Sequence, residues 1–177
     1  IGSEFDLFTN YGFDVSKIEK SLEEINALFL IKTHPVNCIR DKELLAKVHH
    51  SKQIKIVNDS DFDGDIYPIL RETDVLITDY SSVYFDFLLL NRPIIFAPFD
   101  FENYIREDRE FYDNYSDITP GPKAKDWNEV LRYVKEAIKN SKKYESERKR
   151  VCELFNAYND ANSSERVYKA IKEMLNV

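Results

Sequence analysis

LITDYSSVYFDF, residues 76–87, decides the fold of this 177-residue chain. Together with the preceding Val75, its first residues, 76–78, form a largely apolar run typical of a short buried strand. Apolar residues at helical spacing follow from position 83 to position 90. The polar tetrapeptide of residues 79–82 stands between them. A strand that passes into a helix across a polar turn is the repeating unit of α/β proteins. The stretch therefore predicts a strand over 75–78 and a helix over 83–90.

The same alternation extends to both sides. Ser16 and Glu19 have the spacing of a capping box, which predicts a helix over 16–26. Further strands are predicted over 27–31, 54–57 and 94–97, with helices over 43–49 and from Tyr67 onward. Strands alternating with helices indicate a Rossmann-like, doubly wound parallel sheet. Helices predicted over 126–140, with Asp126 as N-cap, and over 144–158 and 164–175 have no strand between them, so we expect them to pack on the sheet.

Polar residues follow the predicted strands. Lys32 and His34 come after the first strand, Asn58 after the second, and Asp79 after the third. Doubly wound sheets bind their ligands in the crevice outside the carboxyl ends of the strands. These positions are therefore the first candidates for a binding site.

The turn at residues 79–82 is suited to an anion. The first N–H groups of a helix lack partners within the helix, and its dipole favours negative charge by about 0.3 to 2 kcal/mol. The hydroxyls of Ser81 and Ser82 add donors for phosphate oxygens. The alternative is that one of these serines only caps the helix.

Composition excludes several classes of protein. No apolar run reaches the roughly 18 residues of a membrane span, so the chain is not expected to cross a membrane. A net charge of −7 argues against a nucleic-acid binder. Cys38 and Cys152 have no spacing that suggests a disulfide framework or a zinc site.

Residues 1–5 read like the translated remnant of a cloning site, which leaves 6–177 as a single domain.

Charge is unevenly distributed. Residues 123–150 hold ten basic and five acidic side chains, whereas 59–117 hold fifteen acidic residues and four arginines. The basic stretch is compatible with contact to an anionic membrane. Charged helices are, however, usually solvated faces.

An aspartate-rich segment, residues 59–65, resembles the first half of a calcium-binding loop. An EF-hand needs a glutamate at its twelfth position, where this chain has Leu70. We therefore expect no metal here. Asp65 is predicted to cap the helix that starts near Ile66, and Asn58 or Asp59 to border a nucleotide pocket.

The stretch at 76–87 also carries a family resemblance. It continues in NRPIIF (91–96), Asp100, Tyr104 and REFY (109–112), and further matches lie in IKTHP (31–35) and PGP (120–122). Together these strings, spread over residues 7–125, resemble the CDP-glycerol glycerophosphotransferases, which build teichoic acids and capsular polymers. The resemblance implies the C-terminal, donor-binding domain of a GT-B-type transferase with two Rossmann-like domains, so the chain is expected to be a fragment of a larger enzyme.

The resemblance also implies the chemistry. These enzymes transfer glycerol phosphate from CDP-glycerol, or a related CDP-polyol, to a hydroxyl of a polyol-phosphate or lipid-linked acceptor and release CMP. No cofactor is implied besides the donor substrate. The matching histidine, His34, is implied to be catalytic near the donor pyrophosphate. The residues implied to bind the donor are Lys32, Asn58, Thr78, Asp79, Ser81, Ser82, Asp86, Arg92, Tyr104, Arg109 and Gly121.

Some of these assignments have structural alternatives. A His-Pro pair such as His34 with Pro35 is often an ordinary loop feature, and Arg92 has Asp86 as a partner six residues earlier. Glu110 stands where the family pattern has a glycine, which affects the backbone beside Arg109.

The general base of the family lies in a His-Gly-Thr motif of the N-terminal domain. That motif does not occur in this sequence, so we expect the chain to bind donor but not to turn over alone. The expected location is cytoplasmic, peripheral on the membrane face where lipid-linked acceptors lie. The rival functions are a GT-B glycosyltransferase that uses a nucleotide sugar and a non-catalytic nucleotide-binding domain.

Overall fold

Short parallel strands flanked by helices make up the fold. The computed structural model describes residues 7, 8, 10–32, 41–61, 64–107 and 113–175. In chain order the elements are α1 (Val15–Glu23), β1 (Phe29–Ile31), α2 (Lys42–His50), β2 (Ile54–Ile56), α3 (Tyr67–Glu72), β3 (Leu76–Thr78), α4 (Val83–Phe87), β4 (Ile94–Phe96), α5 (Phe101–Glu107), α6 (Tyr115–Ile118), α7 (Trp127–Lys139), α8 (Glu145–Phe155) and α9 (Ser163–Leu175). Short 3-10 turns occupy Asp59–Asp61 and Leu88–Leu90.

The strands pair in parallel, as predicted, but in two separate sheets. β1 pairs with β2 and β3 pairs with β4, and residues 122–124 run alongside β4 through hydrogen bonds at Phe96. The α/β class is confirmed. The single continuous doubly wound sheet is not: within the described ranges, no backbone ladder joins the two pairs. Each strand spans only three residues, and side chains of a shared core connect the two sheets instead.

β4 lies at the centre of the core. Ile95 packs with residues of α1, α2 and α7, whereas Ile94 and Phe96 pack with residues of α4 and α8. Successive side chains of a strand point to opposite faces, so β4 is covered by helices on both sides. All three residues are at most 1% exposed. Burial of such side chains contributes about 1.5 to 3 kcal/mol each.

The predicted helix starts are partly confirmed. Asp126 caps α7 by accepting from the Glu129 N–H at 2.8 Å. Asp65 accepts from the Tyr67 N–H at 2.9 Å, but the N-cap residue of α3 is Ile66, which makes no side-chain capping bond. The capping box at Ser16 and Glu19 is wrong. Asp14 caps α1 instead, because its carboxylate accepts from the Lys17 N–H at 3.1 Å. The Glu19 side chain does not bond to the start of α1; it accepts from the hydroxyl of Ser51, at the end of α2, at 2.8 Å.

The last helices differ in how they pack. α7 buries Val130 and Val134, and α8 buries Val151. α9 buries no residue, so the expectation that it packs on the sheet is wrong. Its apolar stripe, which includes Val167, Ile171 and Met174, is exposed.

Several charges on the basic stretch at 123–150 are matched by acidic side chains of the described residues. Lys135 pairs with Glu24 at 2.7 Å, Lys143 with Glu136 at 2.9 Å, and Lys149 with Glu145 at 2.6 Å. Arg148 is buried, and its guanidinium donates to the side-chain oxygen of Asn91 and to the carbonyl of Ser141. This pairing favours a solvated charged face. None of the helices described has the length and apolar composition needed to span a membrane.

Candidate functional site

A polar turn follows β3 at its carboxyl end. Thr78, the last residue of β3, is buried and pairs with Phe96 of β4, and its carbonyl accepts from the Ala97 N–H at 2.8 Å. The Asp79 carboxylate accepts from the Ser81 N–H at 3.1 Å, which closes the turn. The side chains of Ser81 and Ser82 are exposed. The structure therefore brings together four of the predicted donor-binding residues, at positions 78, 79, 81 and 82.

The serines do not cap α4. Ser82 is the N-cap residue, but it has helical φ and ψ of −66° and −11° and makes no side-chain capping bond. Within the described part of the chain, neither serine hydroxyl forms a hydrogen bond. The capping alternative therefore does not explain why two serines stand here.

The helix start itself is a weaker anion site than the sequence suggests. α4 spans five residues before it tightens into a 3-10 turn, and Asp86 lies in its first turn. A carboxylate at that position already interacts with the positive end of the helix dipole. Asp86 is exposed, and its carboxylate accepts from the Tyr67 hydroxyl at 3.5 Å. Hydroxyl groups, more than the helix dipole, are what the turn offers a phosphate.

Tyrosine side chains fix the position of the 79–82 turn by hydrogen bonds and ring stacking. The Tyr80 hydroxyl donates to the Asp100 carboxylate at 2.8 Å, and its ring stacks on Tyr104 with centroids 3.9 Å apart and an interplanar angle of 15°. The Tyr115 hydroxyl donates to the carbonyl of Asp79 at 3.3 Å. Tyr104, a predicted donor-binding residue, thus joins the turn through Tyr80.

Burial changes the titration of these tyrosines. It raises the pKa of the Tyr80 hydroxyl strongly, and the hydrogen bond to Asp100 and the charge of Asp100 raise it further. Burial also raises the pKa of Tyr115, with a smaller contribution from the charge of Asp79. Both hydroxyls therefore stay protonated and act as hydrogen-bond donors at any physiological pH.

Two predicted residues lie at the carboxyl edge of the other sheet. Lys32 directly follows β1 and is exposed. Asn58 follows β2, is also exposed, and donates its backbone N–H to the Asp61 carboxylate at 2.7 Å. The Val57 N–H bonds to the Ile31 carbonyl at 2.9 Å, so the two positions stand beside each other on neighbouring strands.

Arg92 lies at the opposite end of the strands from the turn. It precedes β4, whose first residue pairs with the first residue of β3. Its guanidinium donates to the carbonyls of Arg71 and Thr73, both at 2.7 Å, at the carboxyl end of α3. Among the described residues, Arg92 bonds to these two carbonyls and not to Asp86. The structure thus gives Arg92 a capping role and does not bring it to the turn.

Gly121 has a packing role. A Cβ atom there would lie 2.1 Å from the carbonyl oxygen of Ile94, which is backbone and cannot rotate away. The segment runs parallel to β4, with Lys123 bridged to Phe96, so Gly121 lies near the amino end of β4. Close approach of two backbones explains the glycine without a ligand.

His34 and Arg109, the predicted catalytic histidine and one predicted donor-binding arginine, lie outside the described residues.

Sequence reasoning missed the roles of Tyr80, Asp100 and Tyr115. The first two belong to the strings that carry the family resemblance, but the sequence alone does not indicate a function for either. Tyr80 stands between Asp79 and Ser81, and Asp100 follows the neighbouring strand, so their positions at one sheet edge were the available signal. Which side chain of an aromatic-rich edge bonds to which carboxylate depends on tertiary packing.

The sequence and fold match known proteins. Residues 2–173 match the family described as CDP-glycerol:poly(glycerophosphate) glycerophosphotransferase. The chain is 35% identical over 164 residues to a teichoic acid poly(ribitol-phosphate) polymerase of Bacillus spizizenii, covering 92% of this chain and 25% of that protein. It is 30% identical over 162 residues to a teichoic acid glycerol-phosphate transferase of Staphylococcus aureus, covering 92% and 39%.

A solved structure supports the fold. The wall teichoic acid polymerase TagF superposes with a TM-score of 0.70 at 24% identity, over 98% of this chain and 40% of that one. The chain thus spans between 25% and 40% of the length of these proteins. With nearly its whole length matched, it belongs to the CDP-glycerol:poly(glycerophosphate) glycerophosphotransferase family.

Proposed function

We propose that this chain is the donor-binding part of a glycerophosphotransferase, with the Rossmann-like character of one half of a GT-B enzyme. It binds CDP-glycerol or a related CDP-polyol, and the complete enzyme transfers the polyol phosphate to a hydroxyl of a polyol-phosphate or lipid-linked acceptor. Membership of the family and the names of the relatives support this function. Those names include both ribitol and glycerol phosphate, so both donors enter the experiment below.

One observation carries the proposal: the exposed, non-capping hydroxyls of Ser81 and Ser82 at the carboxyl end of β3. Ligands of parallel α/β sheets bind at such strand ends. A pyrophosphate has several oxygens that accept hydrogen bonds, and a hydroxyl is a donor that can rotate toward them. The serines act as binding groups here and not as nucleophiles.

The charge of the pyrophosphate needs positive partners. Asp79 and Asp86 lie close in sequence to the serines, so the turn alone is not cationic. We assign the compensating charge to Lys32, His34 and Arg109, with Asn58 beside Lys32 at the edge of the β1–β2 sheet. Phosphoryl transfer depends mainly on positioning and charge stabilisation. In this proposal, these residues position the pyrophosphate and stabilise its charge.

The reaction then has a simple balance. An acceptor hydroxyl oxygen attacks the β-phosphorus of the donor, the bond from that phosphorus to the bridging oxygen breaks, and CMP leaves. The hydroxyl proton passes to a general base. The three histidines here are His34, His49 and His50, and none stands in a His-Gly-Thr motif, so we place the base in a part of the enzyme outside this sequence. A protonated His34 would offset charge on the leaving CMP.

The acceptor and the location follow as proposals from the same family. A lipid-linked acceptor would bring the enzyme to the cytoplasmic face of the membrane. The ion pairs of Lys135, Lys143 and Lys149 reduce the positive charge that the 123–150 stretch offers to that contact.

Isothermal titration of the purified chain tests the proposal. CDP-glycerol, CDP-ribitol and a UDP-sugar are titrated against the wild type and against Ser81→Ala and Ser82→Ala. We expect a CDP-polyol to bind, and each substitution to weaken it about tenfold, because each removes a hydrogen bond to a charged group. Ser164→Ala, on the exposed α9, is the matched control and should leave the affinity unchanged. Binding of the UDP-sugar alone would favour a glycosyltransferase, and binding of none of the three would refute donor binding.

A further inference from the structure

Tyr80 lies at the centre of the connection between the two loops that leave β3 and β4. Its backbone belongs to the 79–82 turn, between Asp79 and the exposed Ser81. Its side chain is half-buried and packs against the cluster formed by α4, α8 and β4. Whatever fixes the Tyr80 side chain therefore also fixes the backbone of the serine that follows it.

The partner of its hydroxyl is on the other loop. Asp100 stands between β4 and α5, and its carbonyl accepts from the Tyr104 N–H at 2.9 Å in the first turn of α5. Its carboxylate accepts from the Tyr80 hydroxyl at 2.8 Å. A hydrogen bond to an ionised acceptor is roughly twice as strong as a neutral one. This bond ties the start of α5 to the turn.

The ring of Tyr80 makes a second connection between the same loops. It stacks on Tyr104, with centroids 3.9 Å apart, and lies 6.3 Å from the ring of Phe101. Tyr115, from α6, holds the Asp79 carbonyl. The turn is thus fixed at its carbonyl and at its aromatic side chain, while the two serine side chains point to solvent.

We propose that Tyr80 and Asp100 are positioning residues of the donor site: their hydrogen bond holds the β3–α4 and β4–α5 loops together so that Ser81 and Ser82 keep the geometry a pyrophosphate requires. This inference rests on the proposed function. Neither residue touches the reacting atoms. Their effect is on preorganisation, since a site held in place before the ligand arrives loses less free energy on binding.

A double-mutant cycle on donor affinity tests it. CDP-glycerol is titrated into the wild type, Tyr80→Phe, Asp100→Asn and the double variant, well below the melting temperature of each. Tyr80→Phe keeps the ring and removes only the hydroxyl. We expect each single substitution to weaken binding about tenfold. The double variant should bind no more weakly than either single one, because both substitutions remove the same bond.

Matched controls separate this role from a general effect of the residue types. Tyr168→Phe, on the exposed face of α9, and Asp74→Asn, on the exposed surface before β3, should bind donor like the wild type. Thermal denaturation of every variant is recorded in parallel. If Asp100→Asn does not fold, Tyr80→Phe decides alone.

The outcomes are distinct. Unchanged affinity in Tyr80→Phe, with or without a lower melting temperature, overturns the positioning role and leaves donor binding intact. Strictly additive losses in the double variant overturn the claim that the two residues act through one bond. A wild type that binds no CDP-polyol overturns the proposed function and this inference with it.

Discussion

At the scale of single residues, Gly121 has a demanding environment. A Cβ atom at this position would lie 2.1 Å from the carbonyl oxygen of Ile94. We expect Gly121→Ala to lower the free energy of unfolding by about 3 kcal/mol or more, because the strand or the neighbouring segment must move. Urea denaturation measures the change. Gly64→Ala is the control: Gly64 has a φ of +78°, but beyond its chain neighbours no atom of the described residues lies within 4 Å of the added carbon. Only backbone strain of about 1 to 2 kcal/mol is therefore expected.

Arg92 gives a second prediction at this scale. Its guanidinium donates to two backbone carbonyls at the end of α3, at the strand ends opposite the 79–82 turn. We expect Arg92→Ala to lower the free energy of unfolding by about 1 to 2 kcal/mol and to change donor affinity less than about twofold. Urea denaturation and calorimetric titration measure the two effects. A tenfold loss of affinity with unchanged stability would instead return Arg92 to the donor site.

At the scale of elements, α1 tests which residue starts a helix. Asp14 caps it in the structure, whereas Ser16 lies inside it and is exposed. We expect Asp14→Ala to cost about 1 kcal/mol of unfolding free energy. Ser16→Ala should be neutral or slightly stabilising, because alanine has the higher helix propensity. Thermal denaturation compares the two, and the reverse order would restore the capping box at Ser16.

The same scale shows what sequence patterns can predict. Apolar runs place every strand of the described fold within two residues. The reason is clearest for β4, which is buried on both faces and therefore needs an unbroken apolar segment. α5 and α6 are missed: they are short, and their apolar residues have no clear period. At the site, the turn after β3 is predictable from its residues. The hydrogen bond from Tyr80 to Asp100 is not, since it joins loops twenty residues apart through tertiary packing.

Arg92 and Gly121 show a further reason why the sequence predicts only part of the candidate site. A family resemblance marks residues that matter without saying whether they matter for the ligand or for the fold. One of these residues bonds to the end of α3, and the other lets two backbones approach. The three-dimensional contacts of each residue are needed to distinguish such structural positions from the exposed serines of the turn.

At the scale of the whole molecule, α9 contributes little to the folded domain. It buries no residue, and the contacts seen outside the helix among the described residues are local: Arg166 contacts Asp160, Tyr158 and the carbonyl of Asn162, just before the helix. A 13-residue helix without tertiary packing is marginal in water. We therefore expect a chain that ends at Asn162 to melt within about 2 °C of the full chain, since a 1 kcal/mol change shifts the melting temperature of a protein of this size by roughly 2 to 4 °C.

Removal of α8 as well is the contrasting case. Val151 is fully buried, and Arg148 bonds to Asn91 at the end of the 3-10 turn that precedes β4. A chain that ends at Ser141 would open the cluster around Phe87 and Phe96 and leave Asn91 without its partner, so it should melt at least about 10 °C lower or fail to fold. Circular dichroism and thermal denaturation compare the three lengths. A large drop already at Asn162 would mean that α9 packs on the domain in solution, because only a helix with buried contacts can stabilise the rest.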